Sequence, residues 1–256
     1  MSSCQWVTIA EDAGCVSLTM NRPPLNVLNI AMMKELNAAL GEARKNPRAR
    51  VVLIRAEGKA FSAGVDIADH TADRVGEMMR EFHEIFKNLF AINVPTVAVV
   101  DGAALGGGCE VAIACDMIVA SERSKFGQPE IRVGVFPPIA AAIMPGLIGR
   151  NRTLEFLMNG EAMTAAEAER IGLVNRVFPV DGFAGSVSGF VSRLTSQSRV
   201  ILELTKRAVD ARLRSGCMEA IEAAEKMYMG EMMKTQDAAE GLKAFLEKRP
   251  PVWAHR

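Results

Sequence analysis

Two glutamates stand out because each ends a distinctive short run of small or apolar residues. Glu110 closes the run Ala-Leu-Gly-Gly-Gly-Cys-Glu at residues 104–110, and Glu130 closes Phe-Gly-Gln-Pro-Glu at residues 126–130. The neighbours of Glu110 are mostly apolar, which predicts burial, and burial raises the pKa of a carboxyl group. A second carboxyl nearby raises one pKa of the pair further. Two carboxyls whose pKa values differ in this way can act as one acid and one base on a water molecule between them.

Small residues lie at two further points where the backbone can approach a ligand. Residues 106–108 are three glycines before an apolar helix, and Ala63 and Gly64 lie upstream in the segment 61–66. Glycine admits a ligand close to the backbone, and a helix N-terminus offers free N–H groups and the positive end of the helix dipole. Such donors suit a developing oxyanion, although each segment alone is more typical of a turn packed against a strand.

The composition indicates a globular chain without an electrostatic preference for nucleic acid. Of 256 residues 49% are hydrophobic, and 30 basic residues balance 30 acidic ones. The five cysteines include no CxxC pair and no two of the three histidines have metal-ligand spacing, so we predict neither a disulfide framework nor a metal site. We see no signal peptide and no apolar stretch long enough for a bilayer, and we expect a cytoplasmic protein that binds no membrane.

Strand and helix patterns alternate up to about residue 180, and helical patterns follow. A hairpin is predicted over residues 6–20, and the capping box at Thr164 predicts a helix that ends at Gly172. This order indicates an α/β fold with a helical C-terminal region. Further strands are predicted at residues 51–54, 96–100, 117–120 and 173–178, and further helices at residues 75–92, 107–114, 139–148, 200–213, 218–233 and from 237.

Together, the motifs at residues 61–66, 104–110 and 126–130 resemble the crotonase (enoyl-CoA hydratase/isomerase) family. The resemblance covers most of the chain, including the Asn-Arg-Pro turn at residues 21–23 and the segment 168–174. It implies an α/β crotonase-type spiral of ββα units over residues 1–195. It also implies a helical region over residues 196–256 that builds homotrimers or dimers of trimers.

The resemblance also implies the substrate and the roles of single residues. The substrate is a coenzyme A thioester, and no separate cofactor is expected. Ala63 and Gly107 are implied as the two N–H donors to the enolate oxygen that forms when water adds to a conjugated thioester. Glu110 and Glu130 are implied as the pair that handles the water. The residues expected to contact the acyl-CoA are Ala63, Gly64, Val65, Asp66, His70, Gly106 and Pro137.

One segment departs from the pattern of many linear-chain hydratases, which carry a glycine-rich stretch soon after the second glutamate. Here Pro137 and Pro138 occupy that place, and proline fixes φ and stiffens the turn. Together with His70, the departure resembles a subgroup that hydrates cyclic dienoyl-CoA thioesters such as cyclohexa-1,5-diene-1-carbonyl-CoA. From the sequence alone, His70 is a pocket residue, a third proton donor or a histidine on a surface loop.

Two alternative functions remain open at this point. An enoyl-CoA isomerase needs only one proton shuttle, so the second glutamate would be idle. A non-catalytic relative that binds acyl-CoA would not need the pair at all, and the intact pair argues against it. The sequence does not show which of Glu110 and Glu130 acts as the base and which as the acid, because coupled carboxyls share their titration.

Three charged or titratable side chains outside the motifs carry weaker predictions. His83 lies between Glu81 and Glu84 on an amphipathic helix, and we expect it on the surface. Lys206 and Arg207 are predicted to lie on a solvated helix face, with the phosphates of coenzyme A as an alternative contact.

Overall fold

The computed structural model describes residues 5–213 and 216–254. Its strands are β1 (Val7–Asp12), β2 (Cys15–Met20), β3 (Val51–Ala56), β4 (Ala60–Ser62), β5 (Thr96–Val100), β6 (Ala103–Leu105), β7 (Met117–Ser121), β8 (Lys125–Gly127), β9 (Ala162–Thr164) and β10 (Arg176–Phe178). Its α-helices are α1 (Ile30–Lys45), α2 (Val75–Phe90), α3 (Gly107–Ala114), α4 (Pro138–Ile148), α5 (Arg150–Asn159), α6 (Ala165–Arg170), α7 (Phe183–Thr195), α8 (Arg199–Leu213), α9 (Cys217–Gly230) and α10 (Gln236–Leu246). Short 3₁₀ helices span Ile67–His70, Pro129–Val133 and Met232–Lys234.

The larger sheet has six strands in the order β1-β2-β3-β5-β7-β10. Only the β1–β2 hairpin is antiparallel, and the other neighbours pair in parallel. Its central strands β3, β5 and β7 are largely buried on both faces, as is usual for parallel strands. One face joins the main core with α1 and α2, and the other packs Val51, Leu53 and Val97 against Val187 and Val191 of α7.

The smaller sheet has four strands in the order β4-β6-β8-β9. Strands β4, β6 and β8 are parallel, and β9 is antiparallel to β8. In the register, Ser62 pairs with Ala104, and Leu105 pairs with Gly127. Because parallel strands bring their carboxyl ends to one edge, the three chemically distinctive motifs meet there: each motif continues directly from the end of one of these strands.

The structure confirms most predicted elements and corrects several boundaries. The hairpin, the helices near residues 75–92 and 107–114 and the capping box at Thr164 are present. The strand expected at residues 173–178 begins only at Arg176. The last helix begins earlier than predicted, because Thr235 caps it by accepting a hydrogen bond from the N–H of Ala238.

Helix α8 is attached to the α/β core by Lys206, whose predicted solvated position is wrong. Its side chain is 9% exposed, and Nζ lies 2.6 Å from Oδ2 of Asp116. It also donates to the carbonyl oxygen of Val94 at 3.1 Å. The same Asp116 oxygen accepts hydrogen bonds from the backbone N–H and the hydroxyl of Thr96. Lys206 is thus engaged in the fold and is not placed to meet the phosphates of coenzyme A.

Within the described ranges, no helix has both the length and the apolar content needed to cross a membrane.

Candidate active site

A cavity of about 400 Å³ opens where β4, β6 and β8 end. Glu110 and Glu130 both line it, and most of the remaining wall is apolar. Helix α2, the start of α4 and the C-terminal helices supply that wall. Its apolar members include Val65, Ile67, Met78, Met79, Phe82, Val133, Val135, Phe136, Pro137, Pro138 and Phe245.

Glu110 lies in the first turn of α3 and is 2% exposed. Its Oε1 accepts hydrogen bonds from the N–H groups of Ile139 and Ala140, each at 2.9 Å. Both donors lie in the first turn of α4, at the positive end of that helix. Burial raises the pKa of Glu110 to about 7, and the two N–H groups act in the opposite direction by stabilising the carboxylate. The group is therefore poised to exchange a proton near neutral pH.

Glu130 approaches the same cavity from the 3₁₀ helix that follows β8. Burial, followed by the charge of Glu110, raises the pKa of Glu130 well above its usual range. With its amide nitrogen facing Glu130, Gln128 lies 3.1 Å from both carboxyl oxygens. A Cβ atom added at Gly106, whose φ is +51°, would lie 2.7 Å from Oε1 of Glu130. Glycine at this position therefore makes room for the second carboxyl.

The backbone N–H groups beside the glutamates differ in their availability. The N–H of Ala63 donates to the carbonyl oxygen of Leu25 at 3.0 Å, and that of Gly64 donates to Oγ of Ser62 at 3.2 Å. Among the described residues, the N–H of Val65 has no hydrogen-bond partner. This geometry does not support the predicted role of Ala63 as an oxyanion donor, because its N–H already donates to Leu25, whereas the N–H of Val65 is available.

Val65 lies directly against the start of α3. A Cβ atom added at Gly107 would lie 2.6 Å from Cγ2 of Val65 and 3.0 Å from the ring of Phe82. Gly107 is the first residue of α3, so its N–H belongs to the helix turn that has no intrahelical partner. The N–H groups of Val65 and Gly107 thus form a candidate oxyanion hole beside the two carboxyls.

Comparisons with known proteins place the chain in a family over nearly its whole length. The family model described as Enoyl-CoA hydratase/isomerase matches residues 10–256. The chain belongs to the enoyl-CoA hydratase/isomerase family. It is 35% identical to a protein of Thauera aromatica named cyclohexa-1,5-dienecarbonyl-CoA hydratase, with 98% of this chain and 96% of the relative covered. It is 34% identical to a probable enoyl-CoA hydratase of Mycobacterium tuberculosis, with 98% of each chain covered.

A solved structure extends the family likeness to the whole fold. The crystal structure of an enoyl-CoA hydratase from Mycobacterium avium subsp. paratuberculosis superposes with a TM-score of 0.88 at 31% identity, covering 97% of this chain and 98% of that one. The α/β architecture with helices at its C-terminal end is thus the crotonase fold of the enoyl-CoA hydratase/isomerase family.

Most residues expected to contact substrate surround the cavity of this family member. Ala63, Gly64, Val65, Gly106 and Pro137 line the cavity. His70 lines it too, so it is a pocket residue and not a surface-loop histidine. Its Nδ1 lies 3.1 Å from the carbonyl oxygen of Asp66, and burial lowers the pKa of the imidazole.

Asp66 differs from the other predicted contacts, because the described cavity lining does not include it. Its Oδ1 accepts a hydrogen bond from the N–H of Ala68 at 3.1 Å and caps the short helix Ile67–His70. Its Oδ2 lies 3.7 Å from the guanidinium of Arg22. The carboxylate thus supports the loop that carries Val65, and a direct contact with substrate is not supported.

His83 was expected on the surface, and the structure contradicts this. The side chain is buried, and its Nδ1 lies 2.8 Å from Oε2 of Glu225 on α9. Burial lowers the pKa of His83, and Glu225 opposes that effect. The contact joins α2 to α9 across the cavity wall, which a pattern read along α2 alone does not reveal.

Sequence reasoning missed four polar residues at the site: Gln128, Arg132, Tyr228 and Arg249. Gln128 had a weak signal, since it lies two positions before Glu130 in the same motif. Tyr228 had none, because it reaches the cavity from α9. Among the described residues, no group of three or more His, Cys, Asp or Glu side chains is arranged to hold a metal ion.

Proposed function

We propose that this protein is an enoyl-CoA hydratase, a hydro-lyase that adds water to the conjugated double bond of an acyl-CoA thioester or removes it. The observation that carries the proposal is the arrangement of Glu110 and Glu130 on one cavity, beside the N–H groups of Val65 and Gly107. Two carboxyls supply a base and an acid for water, and two aimed donors suit the thioester oxygen. An isomerase would need only one of the carboxyls.

In the proposed mechanism, the two carboxyls begin in different protonation states. Glu110 is the ionised one, because the N–H groups of Ile139 and Ala140 stabilise its charge. Glu130 holds the proton, because burial and the charge of Glu110 both oppose its ionisation. Two negative charges close together in a buried site repel each other, so one charged and one neutral carboxyl is the favoured state.

Water then adds in two proton transfers. The water oxygen bonds to the β-carbon while Glu110 takes its proton, and the π electrons move to the thioester oxygen as an enolate. The N–H groups of Val65 and Gly107 donate to that oxygen. As the enolate collapses, the α-carbon takes the proton of Glu130. Passage of a proton from Glu110 to Glu130 restores the starting state.

The test is hydration by Glu110→Gln and Glu130→Gln variants, followed as loss of the ultraviolet absorbance of the conjugated thioester. Each substitution removes a proton-transfer group, so kcat should fall by about 10²–10⁴. Glu155→Gln, on an exposed face of α5, is the matched control and should keep wild-type activity.

The outcomes of this test separate the alternatives. Lost hydration with retained double-bond isomerisation in Glu130→Gln would make the protein an isomerase. A wild-type protein that binds acyl-CoA and turns over no enoyl-CoA would make it a non-catalytic binding protein.

For the acyl group, we propose a ring-shaped dienoyl thioester. The support is the stiff wall at the start of α4, where Phe136, Pro137 and Pro138 line the cavity. Sequence identity does not decide the point. The relative named for the cyclic substrate is 35% identical to this chain, and the probable enoyl-CoA hydratase of Mycobacterium tuberculosis is 34% identical to it. Faster turnover of cyclohexa-1,5-diene-1-carbonyl-CoA than of crotonyl-CoA is the expected result. A clear preference for crotonyl-CoA would overturn the ring assignment while leaving the hydratase assignment intact.

We further propose a cytoplasmic homotrimer or dimer of trimers. Helix α8 supports the assembly, because several of its apolar side chains are exposed: Val200, Ile201, Leu204 and Val209. The three cysteines whose state is described, Cys15, Cys109 and Cys115, are free thiols, as suits a reducing compartment.

A further inference from the structure

Tyr228, the single tyrosine of the chain, is a buried polar residue that the proposed mechanism does not use. It lies on α9 and is 2% exposed. A buried tyrosine hydroxyl usually has a hydrogen-bond partner. Within residues 5–213 and 216–254, that of Tyr228 has none. The side chain lines the cavity, so a ligand in the cavity is the partner available to it.

The orientation of Tyr228 is restricted by contacts on two sides. Its ring meets that of Phe136 edge to face, with the centroids 5.7 Å apart. One helical turn earlier on α9, Glu225 is bonded to the buried His83 of α2. The phenol is therefore held in the cavity by its own packing and by the attachment of its helix.

The phenol also lies within the electrostatic influence of both catalytic carboxyls. Burial raises the pKa of Tyr228, and negative charge on Glu110 or Glu130 raises it further. The hydroxyl consequently keeps its proton under ordinary conditions and acts as a neutral donor. The β-carbon of the substrate must lie between the same two carboxyls, because both act on the water that adds to it.

We propose that the Tyr228 hydroxyl is a further polar contact of the acyl group, donating a hydrogen bond to the oxygen at the β-carbon. This inference rests on the proposed hydratase function. The oxygen is that of the incoming water during hydration and that of the hydroxyl group in the product. Tyr228 thereby distinguishes acyl groups that carry a β-oxygen from saturated acyl groups of the same length.

Equilibrium binding of two coenzyme A thioesters by calorimetry tests the proposal. Acetoacetyl-CoA and butyryl-CoA have equal chain lengths and differ at C3 by an oxygen, and neither is a substrate for hydration or dehydration. The wild type should prefer acetoacetyl-CoA. Tyr228→Phe keeps the ring and removes the hydroxyl, so affinity for acetoacetyl-CoA should fall about 5- to 15-fold, as for the loss of one hydrogen bond. Its affinity for butyryl-CoA should stay within twofold.

Met227→Leu is the matched control, since Met227 is the preceding residue of α9 and is half exposed. It should leave both affinities unchanged. Equal weakening of both ligands in Tyr228→Phe would show a structural role and overturn the proposal, as would a wild type without preference for the β-oxygen. Failure of the hydratase proposal has a different signature: the wild type would bind these thioesters and hydrate no enoyl-CoA.

Discussion

Glu110 is a buried carboxyl group that makes the folded protein sensitive to pH. Burial raises its pKa from the ordinary value of 4.5 to about 7, so in this range the folded protein holds a proton that the unfolded chain has released. Its contribution to stability is fully present below pH 4.5 and is lost as the pH rises through 7. The proposed mechanism needs the charged form, and the N–H groups of Ile139 and Ala140 offset only part of the cost of burying it.

Glu110→Gln should therefore be more stable than the wild type at pH 8.5, by roughly 1–3 kcal/mol, and nearly equal to it at pH 5. Glutamine keeps an oxygen that can accept the hydrogen bonds of Ile139 and Ala140, and it removes the titration. Urea unfolding at the two pH values measures the difference. Glu155→Gln, the exposed control, should show none. An equal stability change at both pH values would contradict the explanation by burial.

The oxyanion donors show what a motif predicts and what it leaves out. The segment at residues 61–66 correctly indicates that one backbone N–H from this loop is available. It does not indicate which one, because that depends on a hydrogen bond from Ala63 to Leu25, a residue far away in the chain. Glycine spacing at residues 106–108 predicts the start of α3 well, since the requirement for a small residue there is local.

At the scale of elements, Lys206 connects α8 to the sheet through a nearly buried ion pair. We expect Lys206→Met to lower the free energy of unfolding by about 1–3 kcal/mol, because it leaves the partly buried Asp116 carboxylate without this cation. Urea unfolding measures the loss. Lys34→Met is the matched control, since Lys34 pairs with Glu77 on the exposed surface, and its unfolding midpoint should remain near that of the wild type. Equal midpoints for the two variants would contradict the anchoring role.

The sequence predicts the strands of five or six residues and most of the helices, α5 excepted, but not the smaller sheet. Strands β4, β6, β8 and β9 have three residues each, which is too short for an alternating pattern to be recognised. They are recognisable only by their pairing with one another. The sequence therefore predicts the three motifs at the edge of this sheet, but it does not predict the sheet that positions them.

At the scale of the whole molecule, the exposed apolar face of α8 predicts self-association. The wild-type mass in solution should be three or six times 27.7 kDa by light scattering. Ile201 is 59% exposed, and Ile201→Asp should lower that mass because it places a charge in the contact. Val180→Asp, beyond β10, is the control and should keep the assembly. An unchanged mass for Ile201→Asp would show that the interface does not involve this face of α8.

The boundary between the α/β core and the helical C-terminal region, placed between residues 195 and 196, stays a prediction.

The start of α4 has a consequence for any attempt to alter the substrate range. Pro138 has no N–H, and the N–H of Ala141 already bonds to the carbonyl oxygen of Pro137. Ile139 and Ala140 are thus the donors left over in this turn, and both reach Glu110. The segment that lines the proposed acyl pocket therefore also supplies the two hydrogen bonds that lower the pKa of Glu110, the proposed base. Redesign of this wall for a new thioester will therefore change the pH optimum together with the selectivity, and the two properties must be selected jointly.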